Sequence, residues 1–582
     1  MKRITTTYIM AGFFAATAIM SGCESLDYIP GDQMSGQIFW QTEDHARQAA
    51  VGMYAAMKAD WCFGLEFTFD MCSDIADGTS PWADISRGTS FASNSSGVQN
   101  HWQYLYELVH RSNTVIRNVK NMPISQETID NVTGEAKFLR AMAYFRMLNC
   151  WGGVPYYDEN CNINEQFASL NASRCPADEI RKHVIDDLTD AIAKLPVRWG
   201  DADLGRATKG AAYALRGKVY LFNRQWDEAI ADFEEIIYDK TDSYGYSLHP
   251  DYNELFRLYN GTHSPEMIFS IQSIDGNTAG YALNIVGYFG NKSTMRLIAS
   301  NCIVPSTTLV DMYENRDGSS FDWDDVFPGF SDGDSQVRRA YMTVAIDQGS
   351  TTVTDLLDCD TTKVMDAYRL RDPRLCLNVI TPYSHYLGTD AGSNPADKQF
   401  VLADPTKGGS PMEAMAFIRN SEGWNSYFWR KWIPTGNLDG YWGEYNRTPY
   451  EFPLIRLGDV ILMLAEAYNE TGELDKAVVE VNKIRARVGM PGLNDGAPWL
   501  AVNDKDSMAE RIRRERAFEL AGEGQRYWDL RRWGLLDQSV KNATDIFGDL
   551  MYTRTYQPRH ELWPIPLVEM ERNRNLTQNE GW

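Results

Sequence analysis

The sequence lacks the short patterns that many enzymes of this size carry. Only 8 of its 582 residues are histidines, and no HExxH or GxxxxGK string occurs. Those strings would supply a zinc site and a phosphate-binding loop, respectively. A glycosidase needs a pair of carboxylates and leaves no such string. The 79 acidic residues guarantee that pairs exist, and only geometry identifies a working pair. We therefore predict that the protein is not an enzyme.

Cysteine pairs of the CxxC kind are missing as well, so the sequence predicts neither a zinc site nor a redox site built on such a pair. Cys23 is followed by eight cysteines, at positions 62, 72, 150, 161, 175, 302, 359 and 376. In an exported protein this spacing permits disulfides, for example Cys62 with Cys72 or Cys150 with Cys161. It permits buried free thiols equally well.

A long apolar stretch that could cross a membrane is absent from the body of the chain. A shorter one, over residues 9–20, follows Lys2 and Arg3 and is typical of an export signal. It leads through small residues directly into Cys23, the arrangement that a lipoprotein signal peptidase requires. We predict that residues 1–22 are removed and that Cys23 carries a lipid anchor. An ordinary signal peptide with an incidental cysteine is the alternative.

An excess of positive charge is also missing. The chain has 56 lysines and arginines against 79 acidic residues, a net charge of −23. A protein of this sign repels a phosphate backbone, so nucleic acid is not an expected partner. No linker rich in proline, glycine and serine divides the chain, and we predict a single domain over residues 23–582.

Two segments share one spacing of small, aromatic and aliphatic residues. The matching sets are Gly217, Tyr220, Trp226, Ala229, Phe233 and Ile236, and Ala465, Tyr468, Leu474, Ala477, Val481 and Ile484. This is the tetratricopeptide spacing, in which each unit is a pair of packed helices. It predicts a mainly α fold with a tetratricopeptide-like helical-hairpin scaffold over residues 40–239 and 451–534.

Further apolar patterns of helical period support this fold. They cover Asp44–Met57, Trp102–Val119, Thr133–Trp151, Asp178–Leu195 and Met508–Ala521. Residues 240–450 are instead rich in glycine, aspartate, asparagine and serine, with one short helical pattern at Ser306–Tyr313. Since binding residues concentrate on loops held by a rigid scaffold, we expect this loop-rich insert to carry the ligand face.

Several blocks resemble the RagB/SusD family of surface nutrient-binding lipoproteins of Bacteroidetes. They are GEAKFLRAMAYF with WGGVPYY in residues 134–157, residues 452–491, ERIRRERAFELAGEGQRYWDLRRWG in residues 510–534, and residues 562–582. The resemblance implies a glycan-binding protein of the outer membrane that delivers its ligand to a SusC-like TonB-dependent transporter. Glu24 and Asp27, after Cys23, resemble a signal for the extracellular side. A peptide ligand within the same family and a pure protein-interaction scaffold are the alternatives.

A sugar ring needs an aromatic face flanked by hydrogen-bonding side chains. The loop DGTSPWADISRG offers Trp82 with Asp84 and Arg87 beside it, and no apolar period assigns the tryptophan to a core. Two later stretches offer further rings, which are Tyr281, Tyr288 and Trp323. We predict these six residues as candidate ligand contacts, with buried packing as the alternative for each ring.

Acidic residues in two places have other interpretations. Asp322, Asp324 and Asp325 suggest calcium, but Phe327 stands where a calcium-binding loop of the EF-hand type needs glycine, so a solvated acidic loop is favoured and no cofactor is expected. Glu515 and Glu519 lie one helical turn apart, a spacing suited to ion pairs that hold helices together. We interpret that pair as structural.

Overall fold

The computed structural model describes residues 39–93, 95–161, 171–257, 263–273, 283–290, 302–346, 353–355, 359–389, 395–402, 425–433 and 450–582. Within this part the chain is mainly helical, as predicted. The α-helices are α1 (Glu43–Lys58), α2 (Ala83–Arg87), α3 (Ser96–Val119), α4 (Gln126–Trp151), α5 (Ala177–Lys194), α6 (Lys209–Phe222), α7 (Trp226–Ile237), α8 (Tyr252–Leu255), α9 (Ile285–Phe289), α10 (Thr307–Met312), α11 (Trp323–Val326), α12 (Ser335–Met342), α13 (Thr361–Arg369), α14 (Pro373–Asn378), α15 (Leu457–Thr471), α16 (Leu474–Arg487), α17 (Lys505–Leu520), α18 (Arg526–Arg532), α19 (Leu536–Ser539) and α20 (Leu567–Arg572).

The described strands are short and form two-stranded antiparallel pairs. They are β1 (Ala76–Gly78), β2 (Met267–Ile271), β3 (Ile303–Pro305), β4 (Ala345–Ile346), β5 (Val353–Asp355), β6 (Val379–Ile380), β7 (His385–Thr389), β8 (Pro395–Gln399), β9 (Phe428–Trp429), β10 (Phe452–Arg456), β11 (Ala543–Thr544) and β12 (Leu550–Tyr552). The pairs are β1 with β3, β2 with β10, β4 with β5, β6 with β9, β7 with β8, and β11 with β12. The β2–β10 pair brings the two ends of the loop-rich insert together.

The two predicted helical hairpins are present and contact each other. Helices α6 and α7 pack as one pair, α15 and α16 as the other, and α7 lies against α15. Gly217 shows why the spacing demands a small residue, because a Cβ there would lie 2.5 Å from the Phe233 ring of the paired helix. The chain therefore leaves the scaffold after α7, forms the insert and returns to the same scaffold.

Side-chain caps set the starts of two helices earlier than the apolar patterns indicated. Helix α3 begins at Ser96 because the Ser95 side chain accepts a hydrogen bond from the Val98 N–H. Helix α4 begins at Gln126, where Ser125 accepts in the same way from Thr128. The polar first turns of both helices carry no apolar period, so the cap residues are the signal that locates them.

Buried ion pairs connect the end of β10, α16 and α17 with one another and with the insert. Glu519 of α17 is fully buried and pairs with Arg374, Arg456 and Arg487. Glu515, one turn earlier, pairs with Arg374. These contacts support the structural interpretation of the two glutamates, since they tie the returning chain to the insert.

The eight cysteines that follow Cys23 are all free thiols in the structure. Cys62, Cys72 and Cys150 are buried, and burial raises the pKa of each of these thiols. Of the two alternatives, the structure therefore shows free thiols. Within the described residues, no helix has both the length and the apolar character needed to span a bilayer.

Candidate functional site

Trp82 is a core residue, and its prediction as a ligand-stacking ring is wrong. The side chain is 1% exposed, with its ring stacked on Phe69 at 4.8 Å and its indole N–H donating to Thr68 Oγ1 at 2.8 Å. Gly97 makes room for it, because a Cβ there would lie 3.0 Å from the ring. The partners come from distant parts of the chain, including Trp563, so no local apolar period revealed the core.

Asp84 and Arg87 lie in α2, directly after Trp82, and both are half-buried. The Arg87 guanidinium lies 4.5 Å from the centre of the Tyr552 ring in β12, a stabilising cation–π contact. The two side chains therefore flank a core tryptophan rather than an open aromatic face, and the predicted grouping around Trp82 does not form a site.

Of the later rings, Tyr281 lies outside the described residues. Tyr288 lies in α9 and is half-buried, with its ring edge against Phe67 at 5.9 Å. Its neighbour Phe289 is buried and stacks on Trp429 at 5.0 Å. Tyr288 thus belongs to the margin of an internal aromatic cluster.

Trp323 lines a cavity in the insert. The cavity has a volume of about 260 Å³, and its walls are Thr307, Asp311, Trp323, Phe330, Ser331, Arg338, Tyr427, Thr544, Asp545 and Ile546. We call it the Trp323 pocket. Its volume lies just below the usual range for small-molecule sites. Trp323 itself is 8% exposed, so it contributes part of a wall and not an open plate.

The aromatic wall is fixed by contacts behind it. Trp323 stacks on Phe330 with ring centres 4.8 Å apart and meets the edge of Tyr368 at 5.5 Å. The Tyr368 hydroxyl lies 3.0 Å from the Tyr427 hydroxyl. These contacts hold the rings in one arrangement before any ligand arrives.

Asp311 is a polar group of the pocket with free hydrogen-bonding capacity. Its Oδ1 accepts from the Trp323 indole N–H at 2.8 Å, and the residue keeps solvent-exposed surface. The surrounding pocket walls partly desolvate the carboxyl and raise its pKa above its ordinary value, although the Trp323 hydrogen bond, Arg371 and Arg338 oppose the increase. Asp311 shares a face of α10 with Thr307, one turn earlier.

Asp545 is more fully occupied by the protein. It accepts from the Asn425 side chain at 2.9 Å and from the backbone N–H groups of Phe547 and Asp549, both at 3.0 Å. Its bonds therefore shape the loop after β11, and burial raises the pKa of its carboxyl.

Arg338 supplies the positive charge of the pocket. Its Nε donates to the Phe330 carbonyl at 3.1 Å and its Nη2 to the Ser331 carbonyl at 3.0 Å. Gly548, at φ +86°, leaves room for the guanidinium, because a Cβ there would lie 2.5 Å from Arg338 Nη1. With two carboxyl groups and one guanidinium, the pocket suits a neutral ligand rich in hydroxyl groups better than an anion.

The β11–β12 hairpin contacts both this pocket and the α2 region. Thr544 of β11 lines the pocket, and the Tyr552 ring of β12 contacts the Arg87 guanidinium. Of the five predicted residues that the structure describes, Trp323 alone lies in the pocket walls. Sequence reasoning missed Asp311, Arg338 and Asp545. The spacing of Thr307 and Asp311 within the predicted helix at 306–313 was an available signal for the first, whereas Asp545 lies too far along the chain to be associated with Trp323.

The acidic stretch that suggested calcium serves the local fold. Asp322 caps α11 by accepting from the Asp324 N–H at 2.9 Å, and Asp324 accepts from the Ser331 N–H at 3.3 Å. In the part of the chain that the structure describes, no group of three or more histidine, cysteine or acidic side chains is placed to hold a metal ion.

A second cavity, of about 270 Å³, lies between the loop after α5 and strand β2. Trp199, Tyr244, Tyr246 and Phe269 are among its walls, which are mainly apolar. Among the predicted residues within the described part of the chain, none lines it. The Trp323 pocket is the better match for a hydroxyl-rich ligand because polar groups dominate its walls.

A helical-hairpin scaffold that holds a polar pocket with an aromatic wall on a loop-rich insert defines a ligand-binding protein. Comparison with known families identifies the group. The model of the SusD family matches residues 265–582, and a model described as "Starch-binding associating with outer membrane" matches residues 26–221. The chain belongs to the SusD family.

Individual relatives agree along nearly the whole chain. SusD-like protein P25 of Formosa agariphila is 26% identical over 96% of this chain and 95% of its own. The starch-binding protein SusD of Bacteroides thetaiotaomicron is 24% identical over 88% of this chain and 84% of its own.

Solved structures share the fold. A SusD-like protein of Bacteroides fragilis has a TM-score of 0.72 at 24% identity and covers 95% of this chain and all of its own. A laminarin-binding SusD-like protein has a TM-score of 0.63 at 21% identity, with 93% of this chain and all of its own covered.

Proposed function

We propose that this chain is a glycan-binding protein of the outer membrane that captures an oligosaccharide in the Trp323 pocket and passes it to a SusC-like TonB-dependent transporter. The lipid on Cys23 holds it at the membrane on the extracellular side, beside that transporter. Binding without chemistry is its task. Membership of the SusD family, the starch-binding description of one matching model and the names of the relatives support this proposal.

The observation that carries the assignment of the site is the geometry of the Trp323 pocket. A sugar presents C–H groups on its faces and hydroxyls around its rim. The pocket offers an aromatic wall from Trp323 and Phe330, and the Asp311 carboxylate can accept a hydrogen bond from a hydroxyl group. The cavity is large enough for part of a glycan, with the remainder of the chain extending outside.

The pocket also bears on the alternative of a peptide ligand. Two carboxyl groups against one guanidinium disfavour the C-terminal carboxylate of a peptide and acidic side chains. A hydroxyl-rich neutral ligand has no such repulsion to overcome. If a screen finds that peptides bind and that no polysaccharide binds, the ligand is a peptide and the glycan proposal is wrong.

The experiment compares Asp311→Asn with Asp325→Asn by titration calorimetry against oligosaccharides selected on a glycan array that includes starch and laminarin. Asp325 is the matched control because it is exposed, lies two residues from Trp323 and is not part of the pocket. Loss of a charge-assisted hydrogen bond of about 1.5 kcal/mol weakens binding about tenfold.

We expect Asp311→Asn to show that loss and Asp325→Asn to bind like the wild type. The asparagine can still accept from the Trp323 N–H, so the pocket should keep its shape. Equal affinity for all three proteins would show that the ligand lies elsewhere.

A further inference from the structure

Trp499 differs from the other tryptophans that the structure describes. It is 46% exposed, whereas each of the others is less exposed. An exposed indole presents a flat apolar face on which another ring can stack. No aromatic ring or cationic side chain among the described residues stacks on it.

The ring of Trp499 is held in place without being covered. It lies in the short 3₁₀ turn Pro498–Leu500 between α16 and α17, and its indole N–H donates to the Asp317 carbonyl at 3.1 Å. Arg511 donates to the Trp499 carbonyl. The next residue, Leu500, is 1% exposed and anchors the turn in the core. The ring therefore needs little ordering when a ligand stacks on it.

Asp317, whose carbonyl accepts from the Trp499 indole, also offers a polar side chain. The Asp317 carboxylate is exposed and accepts from the backbone and the side chain of Ser319 at 3.0 and 2.7 Å. These bonds hold the pKa of Asp317 below its ordinary value. An aromatic face beside a carboxylate that stays ionised offers both a platform and an acceptor for hydroxyl groups.

One segment of chain supports both Trp499 and the Trp323 pocket. Asp317 binds the Trp499 indole, and Asp311 binds the Trp323 indole. Six residue steps separate Asp317 from Trp323, so their Cα atoms lie at most about 22 Å apart, even if the segment is fully extended. A single glycan chain of several sugar units can span that distance.

We propose that Trp499 is a second glycan contact, which stacks on a sugar ring of the same polysaccharide chain that occupies the Trp323 pocket. This inference rests on the proposed function and adds that the chain binds a polymer more tightly than a short oligosaccharide that reaches the Trp323 pocket alone. The second contact raises the apparent affinity for long chains, because binding at one site increases the local concentration of glycan at the other.

The test uses the chain from residue 24 onward and compares the wild type with Trp499→Ala, Leu370→Ala and Asp311→Asn. Leu370 is the matched control, since it is 59% exposed and its carbonyl accepts from the N–H of Arg316, the neighbour of Asp317. The probes are the polysaccharide that binds best on the array and its trisaccharide. Affinity gels report on the polymer, and calorimetry reports on the trisaccharide.

Trp499→Ala should weaken polymer binding by about tenfold or more while trisaccharide affinity and thermal stability stay unchanged. Leu370→Ala should match the wild type with both probes. Unchanged polymer binding in Trp499→Ala would overturn the proposal, as would an equal loss with the trisaccharide, since Trp499 would then belong to the primary site. If Asp311→Asn leaves trisaccharide affinity intact, the pocket assignment fails, and a polymer-specific loss in Trp499→Ala still supports the contact at Trp499.

Discussion

Substitution of Glu519 by glutamine should destabilise the protein more than any surface substitution on the same helix. Glu519 is fully buried. Its Oε1 accepts from Arg456 at 2.7 Å and also from Arg487, while its Oε2 lies 3.4 Å from Arg374. Burial alone would raise the pKa of this carboxyl, but the three guanidinium groups hold it well below its ordinary range.

The expected loss of unfolding free energy depends on which ion-pair partners the three arginines keep in Glu519→Gln. Arg374 retains Asp372 and Glu515, Arg456 retains Glu266 and Glu523, and Arg487 retains Glu266. The amide of glutamine removes one negative charge and directs N–H groups toward donors. Removing one partner of a buried ion pair costs about 3–5 kcal/mol.

The assay is urea unfolding at neutral pH, with Glu510→Gln as control. Glu510 is exposed on the same helix, and its substitution should change the free energy of unfolding by less than about 0.5 kcal/mol. If Glu519→Gln lowers the free energy of unfolding by less than about 1 kcal/mol, this network does not hold the insert to the scaffold.

Three further predictions test other parts of the account. Trp82→Phe should lower the free energy of unfolding by about 1–3 kcal/mol without changing glycan affinity, and weaker binding would return Trp82 to the ligand site. Lys218 and Arg516 lower the pKa of Asp459 from 3.8 to about 2 despite burial; its stabilisation of about 2.5 kcal/mol is therefore present above pH 4 and lost as the pH falls toward 2. Asp459→Asn should lack that acid-dependent loss in unfolding measurements from pH 2 to 6, and a loss as steep as that of the wild type would contradict the assignment. The Cys23→Ala variant should be absent from the outer-membrane fraction but keep its ligand affinity. Continued fractionation with the membrane would exclude the lipid anchor.

The scaffold could be predicted from the sequence because helices leave a local record. The repeated spacing around Gly217 and Ala465 reflects contacts within one helical hairpin, and the structure shows those hairpins. The pairing of Glu515 and Glu519 with arginines was likewise suggested by one-turn spacing on a single helix. Local periodicity was therefore sufficient to predict the helical scaffold.

The site could be predicted only in part, because long-range packing decides which rings are exposed. Trp82 has a polar neighbourhood in sequence, yet Phe69 and Trp563 enclose it. Trp323 was identified by its composition, but its partner Asp545 lies more than 200 residues further along. Trp499 carried no motif, and its exposure became evident only from the turn that presents it.

The most direct test of the central claim is a crystal structure of the protein with the oligosaccharide that binds best on the array. We expect a sugar unit in the Trp323 pocket, with one of its hydroxyl groups donating to Asp311 and one face of the sugar ring toward the aromatic wall. A well-ordered ligand bound elsewhere, with the Trp323 pocket empty at saturating ligand, would contradict it.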